Sequence, residues 1–349
     1  MWQNLKVVEL ASVLAGPLVG SFFSELGAQV LKIENKKTGG DVTRTWKLKG
    51  EDQSKAISAY YASANFNKKS IFLDLEDSTE YQEALKYILD ADIVIMNFKS
   101  EFAKKLKLDA KSLLQLKKEL IIGNISGFGK ESSRLAFDVV LQAETGYLSM
   151  NGSDENNLAK MPVALIDVIA AHHLKEAILI ALIEKQWTGK GKEVNVSLFD
   201  AALASLANQA SNYLMEGQIA KAMGTKHPNI APYGDKFICS DGKAIILAVG
   251  SDKQFLELCS VLELEKDKID QFKSNSLRLQ KREELLKILQ EKIAFKTARE
   301  CLLLFEEKKI PAASIKNLAE VFNEKEAQNL VQNFILEGYK ALRIKTLLQ

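Results

Sequence analysis

Cysteine and histidine are scarce in this chain, which has 349 residues and contains three of each. The cysteines, Cys239, Cys259 and Cys301, are widely spaced, odd in number and form no CxxC pair. Their spacing argues against a disulfide scaffold and against a structural zinc site. So few histidines also leave little material for a histidine-rich metal centre, so we expect chemistry that uses no metal.

Net charge and long apolar runs are almost absent as well. The formal charge is only +2, and the basic run from Lys104 to Lys118 has the spacing of an exposed helix, so we expect no nucleic-acid partner. The apolar segment from Val168 to Leu182 is interrupted by His, Lys and Glu, which argues against a membrane span. Glu9 interrupts the first apolar stretch, so we expect no signal peptide and a cytoplasmic location.

Three common nucleotide and hydrolase motifs are missing. The chain has no GxxxxGK[ST] phosphate loop and no GxSxG nucleophile elbow. Neither "AGP" (Ala15 to Pro17) nor "SGFG" (Ser126 to Gly129) is a GxGxxG fingerprint, so a dinucleotide-binding oxidoreductase has little support. Both glycine-containing segments nevertheless follow predicted strands, where α/β sheets bind ligands.

Strand and helix patterns alternate through the first part of the chain. Apolar strands are predicted at 5–10, 29–34, 70–75, 92–98 and 120–129, with helices between them. Such alternation indicates the α/β class, with a Rossmann-like parallel sheet and right-handed crossovers. We expect a large domain over 1–210, completed by 316–349, and a smaller α/β domain over 211–315. The smaller domain should contain a hairpin turning at Asp241-Gly242, and the chain should close with a Lys-rich helix.

One carboxylate stands alone between two apolar runs in "MPVALIDVIAAHH", which extends from Met161 to His173. Removing a charged carboxylate from water costs several kcal/mol unless it gains a partner. Asp167 is either the N-cap of the helix that begins here or a nucleophile at a strand-to-helix junction. On the residues alone, both interpretations remain open.

Other polar residues have simple structural interpretations. His172 and His173 follow Asp167 by about one and a half helical turns, on a face beside an active cleft or a dimer contact. His227 lies in a proline-containing loop, where it either contacts a substrate carboxylate or anchors the loop. Asp41 and Arg44 are close enough in sequence to form a local ion pair.

A series of strings, in their order and spacing, resembles one family across nearly the whole chain. The strings are "LASVLAGPLVGSFFSELGAQVLKIE", "GGDVTR", "NKKSIFLDL", "VIMNF", "SGFG", "FDVVLQAETG", "ALIDVIAA", "TGKGKEVNVSLFDA" and "HPNIAPYGDKFICSDGKAIILAVGSDKQF". They are similar to the class III CoA-transferases, the family of formyl-CoA transferase, carnitine CoA-transferase and the α-methylacyl-CoA racemases. The resemblance implies a CoA-transferase in which Asp167 is the nucleophile. It also implies oxyanion stabilisation by N–H groups at the helix start after Asp167 and in a glycine-containing loop.

The resemblance further implies where coenzyme A and the acid bind. The implied CoA contacts are Leu14, Ala15, Asn35, Leu73, Asp74, Leu75, Asn97, Phe98, Lys99, Lys105, Ser126, Gly127 and Phe128. Among them Lys99 and Lys105 suit phosphate groups. The implied substrate loop contains His227, Asn229, Ala231 and Tyr233. Relatives form interlocked homodimers, so we expect a homodimer whose substrates are an acyl-CoA and a small carboxylic acid.

Departures from the family pattern define the alternatives. Racemase members carry a catalytic His in a "GHD"-like string, but the matching string here is "AFD", with Phe137 at the His position. An acyl-CoA racemase is therefore the disfavoured alternative, and a non-catalytic CoA-binding protein is another. Asn35 replaces an Arg of formyl-CoA transferase, so Lys36 or Lys37 would compensate. "HPNIAPYG" replaces that enzyme's glycine run. The chain ends sooner after "IPAASIKNLAEVF" than most relatives do, so a short return path is expected.

Overall fold

Six parallel strands form the central sheet of the protein, of which the computed structural model describes residues 2–347. The elements up to residue 216 are β1 (Lys6–Glu9), α1 (Ala15–Glu25), β2 (Gln29–Asn35), α2 (Ala59–Ala64), β3 (Lys69–Leu73), α3 (Ser78–Asp90), β4 (Ile93–Met96), α4 (Ser100–Lys105), α5 (Ala110–Leu116), β5 (Ile121–Ser126), α6 (Asp138–Glu144), α7 (Tyr147–Met150), α8 (Leu165–Thr188), β6 (Glu193–Ser197), α9 (Leu198–Ala204) and α10 (Asn208–Glu216). The strand order is β3-β2-β1-β4-β5-β6. This order is that of the Rossmann fold, so the predicted α/β class and parallel sheet are confirmed.

Local sequence explains why the helices begin where they do. Asp77 accepts hydrogen bonds from the N–H groups of Thr79 and Glu80 at the start of α3, and Asp109 caps α5 in the same manner. Between them, β4 is buried along its whole length, as expected for a strand covered on both faces. Caps and buried apolar strands thus set the alternation that the sequence shows.

A second compact unit contains the hairpin and the amphipathic helices of the later chain. Its elements are β7 (Tyr233–Ile238), β8 (Ala244–Ala248), α11 (Asp252–Val261), α12 (Lys266–Gln271), α13 (Asn275–Gln280), α14 (Arg282–Ile293), α15 (Ala298–Glu307), β9 (Ala312–Ser314), α16 (Leu318–Phe322) and α17 (Lys325–Gln328). The β7–β8 hairpin turns at Asp241-Gly242 as predicted, with Gly242 at positive φ. Ser251 and Thr297 form capping boxes at the starts of α11 and α15.

The end of the described chain is a β-hairpin, so the predicted final helix is wrong. Strands β10 (Val331–Leu336) and β11 (Tyr339–Ile344) pair antiparallel across Glu337 and Gly338. Both turn residues have positive φ, as in the two-residue turns that match the twist of a hairpin. The Lys-rich composition of this segment concealed its alternation. Arg44 pairs with Glu337 at 2.6 Å, which fixes the turn to the first unit.

The two compact units differ from the expected domain limits at three places: at 150–159, at 211–220 and at 316–328. The first unit contains 1–149, 160–220 and 329–349, and the second contains 150–159 and 221–328. Residues 150–159 pair with the second unit's chain, since the N–H of Gly224 donates to the carbonyl of Gly152. The short helices α16 and α17 also belong to the second unit. None of the helices within residues 2–347 has the length and apolar character that a bilayer span requires.

A cluster of buried charges lies between β1, β2 and α1. Glu9 accepts hydrogen bonds from Lys32 and Lys68, each at 2.7 Å, and all three side chains are at most 1% exposed. Lys32 also lies 3.1 Å from Asp41. Gly20 on α1 leaves room for this cluster, because a Cβ there would overlap the Glu9 carboxylate. Burial lowers the pKa of Lys68 towards neutrality, while the charge of Glu9 opposes that shift.

The first prediction compares two ion pairs that differ in burial. Glu9→Gln should lower the free energy of unfolding by about 3–5 kcal/mol, because it removes the carboxylate of buried Lys68 and leaves buried Lys32 with Asp41 alone. Asp90→Asn removes the Lys6–Asp90 pair, which is as short (2.8 Å) but exposed, and should leave the urea midpoint nearly unchanged. Urea denaturation followed by circular dichroism measures both. Equal effects of the two substitutions would contradict the role assigned to the cluster.

Candidate active site

A cavity of about 810 Å³ opens at the carboxyl ends of the parallel strands. It lies where β1 and β4 are neighbours and the strand order reverses, the place at which open α/β sheets bind ligands. Seven of the expected CoA contacts line it: Asn35, Leu73, Asp74, Leu75, Asn97, Phe98 and Lys99. Residues that follow three different strands are therefore brought together, because carboxyl ends of parallel strands meet at one edge.

A second cavity of about 430 Å³ adjoins the first. Asn97, Phe98 and Lys99 line both cavities, and Ser126 and Gly127 line the second. The loop after β5 is thus continuous with the site at the end of β4. Together the two cavities form one surface along the carboxyl edge of the sheet.

Four expected contacts line neither cavity. Leu14 and Ala15 lie at the start of α1, although Leu10, Ala11 and Ser12 of the same loop do line the larger cavity. Phe128 packs against Phe199, and the Arg134 guanidinium lies over the Phe128 ring, 3.8 Å from its centroid. Lys105 ends α4 and pairs with Glu76 at 2.7 Å.

Cations and carboxylates alternate around the larger cavity. Lys37 pairs with both Asp74 and Glu76, at 3.0 and 3.1 Å. Lys99, the N-cap residue of α4, forms no ion pair with any carboxylate within residues 2–347. Lys99 is therefore the cation best placed to bind an incoming anion without first losing a partner.

Side chains from distant positions fix the loop between β1 and α1. Asp41 accepts hydrogen bonds from the N–H of Val13 at 3.1 and 3.2 Å, and Val13 has a positive φ. Asn97 exchanges two hydrogen bonds with the main chain of Ser12. The expected local pair of Asp41 with Arg44 does not form, since Asp41 instead pairs with Lys32. Arg44 binds Glu34 through two nitrogens, at 2.6 and 2.8 Å.

Asp167 lies in the first turn of α8 and is only 8% exposed. Ala164 occupies the N-cap position, and a loop rather than a strand precedes the helix, so neither expected local setting is present. No hydrogen-bond donor and no cation contacts its carboxylate among the described residues. Burial, and then the charge of Asp138, raise its pKa to about 7.

Asp138, at the start of α6, supports the turn that carries Asp167. Its carboxylate accepts a hydrogen bond from the N–H of Ile166 at 2.8 Å and another from Gln142 at 2.5 Å. Gln142 is buried and accepts a hydrogen bond from the N–H of Met161, so the whole approach to α8 is fixed. Asp138 follows Phe137 in the "AFD" string, which was the only sequence signal for it.

Tyr60 is another residue that sequence reasoning missed. It lies on α2, half-buried, with its ring edge-to-face against Trp46 at 5.1 Å between centroids. Burial, and then the charges of Asp167, Asp138 and Asp41, raise its pKa to about 12. The phenol therefore stays protonated at neutral pH, as a hydrogen-bond donor in the neighbourhood of Asp167. No pattern in the sequence distinguishes it from the adjacent Tyr61.

Two main-chain donors at the start of α8 already have acceptors. The N–H of Ile166 donates to Asp138, and the N–H of Val168 donates to the carbonyl of Ala164 at 3.2 Å. The expectation that N–H groups after Asp167 stabilise an oxyanion stays a prediction. A contribution from the glycine-containing loop after β5 stays a prediction.

The expected substrate loop is described within the second unit. His227 accepts a hydrogen bond from the N–H of Asn229 through Nδ1 at 3.1 Å, and its ring lies against Tyr233. Ala231 is fully buried, and its carbonyl accepts a hydrogen bond from Arg278 at 2.7 Å. Arg282 binds the carbonyl of His227 at 2.6 Å. These contacts support the anchoring interpretation of His227, while a substrate contact stays a prediction.

Two further expectations concern metals and the remaining histidines. Within residues 2–347, no group of three or more His, Cys, Asp or Glu is arranged to hold a metal ion. His172 and His173 lie on α8, where His173 approaches Glu176 at 3.6 Å. Their assignment to a cleft or dimer face stays a prediction.

A family model described as CoA-transferase family III matches residues 3–340. The chain belongs to CoA-transferase family III. A succinate–glutarate CoA-transferase of Agrobacterium fabrum is 34% identical over 333 residues, covering 93% of this chain and 82% of the relative. A succinyl-CoA:glutarate CoA-transferase of Homo sapiens is 32% identical over 327 residues, covering 92% and 73%.

Solved structures agree with the sequence relatives. A CAIB/BAIF family protein from Brucella suis superposes on this family III CoA-transferase with a TM-score of 0.87 and 34% identity. The superposition covers 100% of this chain and 92% of the other. The resemblance drawn from the sequence strings is confirmed, and with it the assignment as an enzyme whose substrates are CoA thioesters.

The second prediction uses the unpartnered carboxylate of Asp167. Its pKa is about 7 in the fold and 3.8 as an ordinary aspartate, so the unfolded chain ionises first as the pH rises. The contribution of the Asp167 carboxyl group to folding stability is therefore fully present below pH 3.8 and is lost as the pH rises through about 7. Asp167→Asn should stabilise the ligand-free enzyme at pH 8 by up to about 4 kcal/mol, and by less at pH 5. Thermal unfolding at both pH values measures the difference.

The matched control is Asp109→Asn at the N-cap of α5. Burial acts on Asp109 too, but hydrogen bonds from Ser112 outweigh it and lower the pKa of that carboxyl. Asparagine is also a good N-cap residue, so this variant should gain no stability at either pH. An Asp167→Asn variant that is less stable than the parent at pH 8 would show that its carboxylate has a stabilising partner.

Proposed function

We propose that this enzyme moves CoA between two carboxylic acids through covalent intermediates on Asp167. The observation that supports the proposal most strongly is the environment of that side chain: within residues 2–347, this buried carboxylate contacts neither a hydrogen-bond donor nor a cation. A structural carboxylate would be paired, because an unpaired buried charge is costly. An ion-poor pocket suits a nucleophile, since weak solvation and a raised pKa increase the reactivity of the oxygen.

The proposed chemistry has two exchanges at one carboxyl group. An oxygen of Asp167 attacks the thioester carbonyl carbon of the donor, the C–S bond breaks, and CoA leaves as a thiolate. The thiolate then attacks the Asp167 carbonyl carbon of the resulting anhydride, the C–O bond breaks, and the donor acid leaves as a carboxylate. The acceptor carboxylate reverses these steps on the enzyme–CoA thioester. Reactants and products have the same bond types, so no nucleotide energy is required.

Coenzyme A is proposed to bind along the carboxyl edge of the sheet. Asn97, Phe98 and Lys99 line both cavities, which therefore offer apolar walls and a cation. Coenzyme A requires both, because it has a base, phosphates and an apolar arm. Lys99 is proposed as a phosphate partner. Lys37 and Lys105 would join it by exchanging a carboxylate partner for a phosphate. The donors at Asn35 and in the loop after β3 would orient the base and ribose.

The acids are proposed to be short dicarboxylates. Two curated relatives, at 34% and 32% identity, are named for transfer between succinate or succinyl-CoA and glutarate. Such acids carry a second carboxylate, and the loop with His227 and Asn229 is proposed to contact substrate, as the family resemblance implies. A homodimer and a cytoplasmic location remain part of the same proposal.

Acyl-CoA racemisation is the weaker alternative on this scaffold. Racemisation requires acid and base groups that reach both faces of the carbon next to the thioester carbonyl. Phe137, at the place of the racemase His, is more than half exposed and cannot carry a proton. A non-catalytic CoA-binding role does not explain why the carboxylate of Asp167 is buried without a partner among the described residues.

The third prediction tests the nucleophile. Succinyl-CoA incubated with the enzyme should leave a CoA adduct on the peptide that contains Asp167, which mass spectrometry after rapid denaturation detects. Asp167→Ala should lose the adduct and reduce transfer to glutarate by several orders of magnitude, because no other residue makes the acyl bond. CoA affinity measured by calorimetry should remain. Substantial transfer by the Ala variant would end the proposed mechanism.

The fourth prediction tests the CoA site. Lys99→Gln should weaken CoA binding by about 1–3 kcal/mol, the usual range for a charge-assisted hydrogen bond. Lys118→Gln is the control, because Lys118 is also exposed but precedes β5 and so lies at the opposite edge of the sheet. Calorimetry with CoA compares the two variants. Equal affinities would remove Lys99 from the site.

A further inference from the structure

Asp138 has two properties that no role described so far uses together. It fixes the turn before Asp167 by accepting a hydrogen bond from the N–H of Ile166 at 2.8 Å. Its charge also acts on Asp167 without being neutralised. Its other oxygen binds the neutral Gln142, and no cation pairs with Asp138 among the described residues. A neutral side chain such as Asn could accept the same hydrogen bond, so support of the helix does not by itself require the charge.

Asp138 is the acid without an ion-pair or hydroxyl partner on the helices and strands that pack against α8, among the described residues. Helix α8 packs against α1, α9, β5, β6 and α6, and β5 carries no charged side chain. The acids on the other four elements already have partners: Glu25 with Arg343, Asp200 with Ser197, Glu193 with Lys130 and Glu144 with Arg134. On α8 itself, His172, His173 and Lys175 follow Asp167 by more than one turn. Tyr60 on α2 is a neutral phenol.

Acylation changes the charge of Asp167 and leaves that of Asp138. When Asp167 is ionised in the free enzyme, its negative charge lies on the same helical turn whose Ile166 N–H binds the Asp138 carboxylate. The site is partly dry, so repulsion between the two acids is stronger there than in water. In the anhydride and in the CoA thioester the Asp167 group is neutral, and its negative charge leaves with the CoA thiolate and then with the donor carboxylate. The repulsion is therefore present before the reaction and absent in both adducts.

We propose that Asp138 is a positioning residue that aligns the first turn of α8 and, through its negative charge, shifts the equilibrium of Asp167 towards the covalent adducts. This inference rests on the proposed function, because it requires Asp167 to be the nucleophile. It adds a thermodynamic role for a neighbouring charge that never bonds to substrate. The raised pKa of Asp167 agrees with it, since the same repulsion opposes ionisation.

The proposal links two measurable quantities. Removal of the Asp138 charge should lower the pKa of Asp167, and it should lower the equilibrium constant for the enzyme–CoA adduct by the same free energy. For each unit by which the pKa falls, the adduct constant at pH 8 should fall about tenfold. A residue with a merely structural role would change rates or stability without this proportionality.

The experiment compares Asp138→Asn, which retains the acceptor for Ile166, with Asp138→Glu, which retains the charge. Rapid-quench mass spectrometry over pH 5–9 gives the apparent pKa of adduct formation from succinyl-CoA. Incubation with succinyl-CoA and excess succinate gives the adduct constant. We expect both quantities to fall together in Asp138→Asn and to recover in Asp138→Glu. Asp200→Asn, which removes an acid from the neighbouring helix α9, should leave both unchanged.

Unaltered pKa and adduct constant in Asp138→Asn, with Asp167 still carrying the adduct, would overturn this inference and leave the proposed function intact. An adduct on another residue, or full transfer by Asp167→Ala, would overturn the proposed function itself. If Asp138→Asn does not fold, Asp138→Ser is the second neutral variant, with a hydroxyl that can accept the same N–H. The same proportionality decides the outcome for that variant.

Discussion

The buried cluster of Glu9, Lys32 and Lys68, with Asp41 beside it, is the interaction on which the site depends. The two ammonium groups do more than neutralise the two acids. Lys32 donates to the carbonyl of Ala11 at 2.7 Å, and Lys68 donates to that of Pro17 at 2.8 Å. Asp41 holds the N–H of Val13. The cluster therefore fixes the loop between β1 and α1 by its main chain, at the point where the sheet order reverses and the larger cavity opens.

Buried charges in this protein are of two kinds, those with an oppositely charged partner and those without one among the described residues. In the cluster every buried charge has a partner, so the desolvation cost is offset by short ion pairs and the loop becomes rigid. Among residues 2–347, the buried carboxylate of Asp167 has no cation or donor and is influenced by the charge of Asp138, so the cost of its ionisation is retained. The cost of burying a charge thus has two outcomes: where ion pairs offset it, the loop is rigid, and where nothing offsets it, the carboxylate is reactive. Functional sites often retain such local instability, which the rest of the fold tolerates.

Much of this arrangement could be predicted from sequence because it depends on local pattern. Alternating strands and helices predict parallel strands, and parallel strands bring their carboxyl ends together. Asn35, Leu73 and Asn97, which the family resemblance implied as CoA contacts, accordingly lie on one edge of the sheet. Asp167 was recognisable because a carboxylate between apolar runs is conspicuous. The C-terminal hairpin was missed, because the positive φ values of Glu337 and Gly338 are not visible in a Lys-rich composition.

The sequence could not reveal which charged residues form ion pairs when they are far apart along the chain. Asp41 and Arg44 are three residues apart, yet they pair with Lys32 and with Glu34 and Glu337, the last of which is 293 positions away. Asp138 reaches the turn of Asp167 from 28 positions earlier. Coulomb attraction alone favours the nearest opposite charge in sequence, but burial and hydrogen-bond geometry decide the actual partner. Local pairing rules therefore fail most where charges are buried.

Partner choice also shapes how the larger cavity can accept an anionic ligand. Lys36 pairs with Glu80, Lys37 with Asp74 and Glu76, and Lys105 with Glu76, so these cations are already neutralised by protein carboxylates. These exposed pairs are weak and are screened by salt, so a phosphate can displace a carboxylate at little cost. The displaced Asp74 and Glu76 would then face the ligand's own negative charge unless they turn towards solvent. Occupation of this edge is consequently an exchange of partners around the cavity, with Lys99 as the cation from which that exchange can begin.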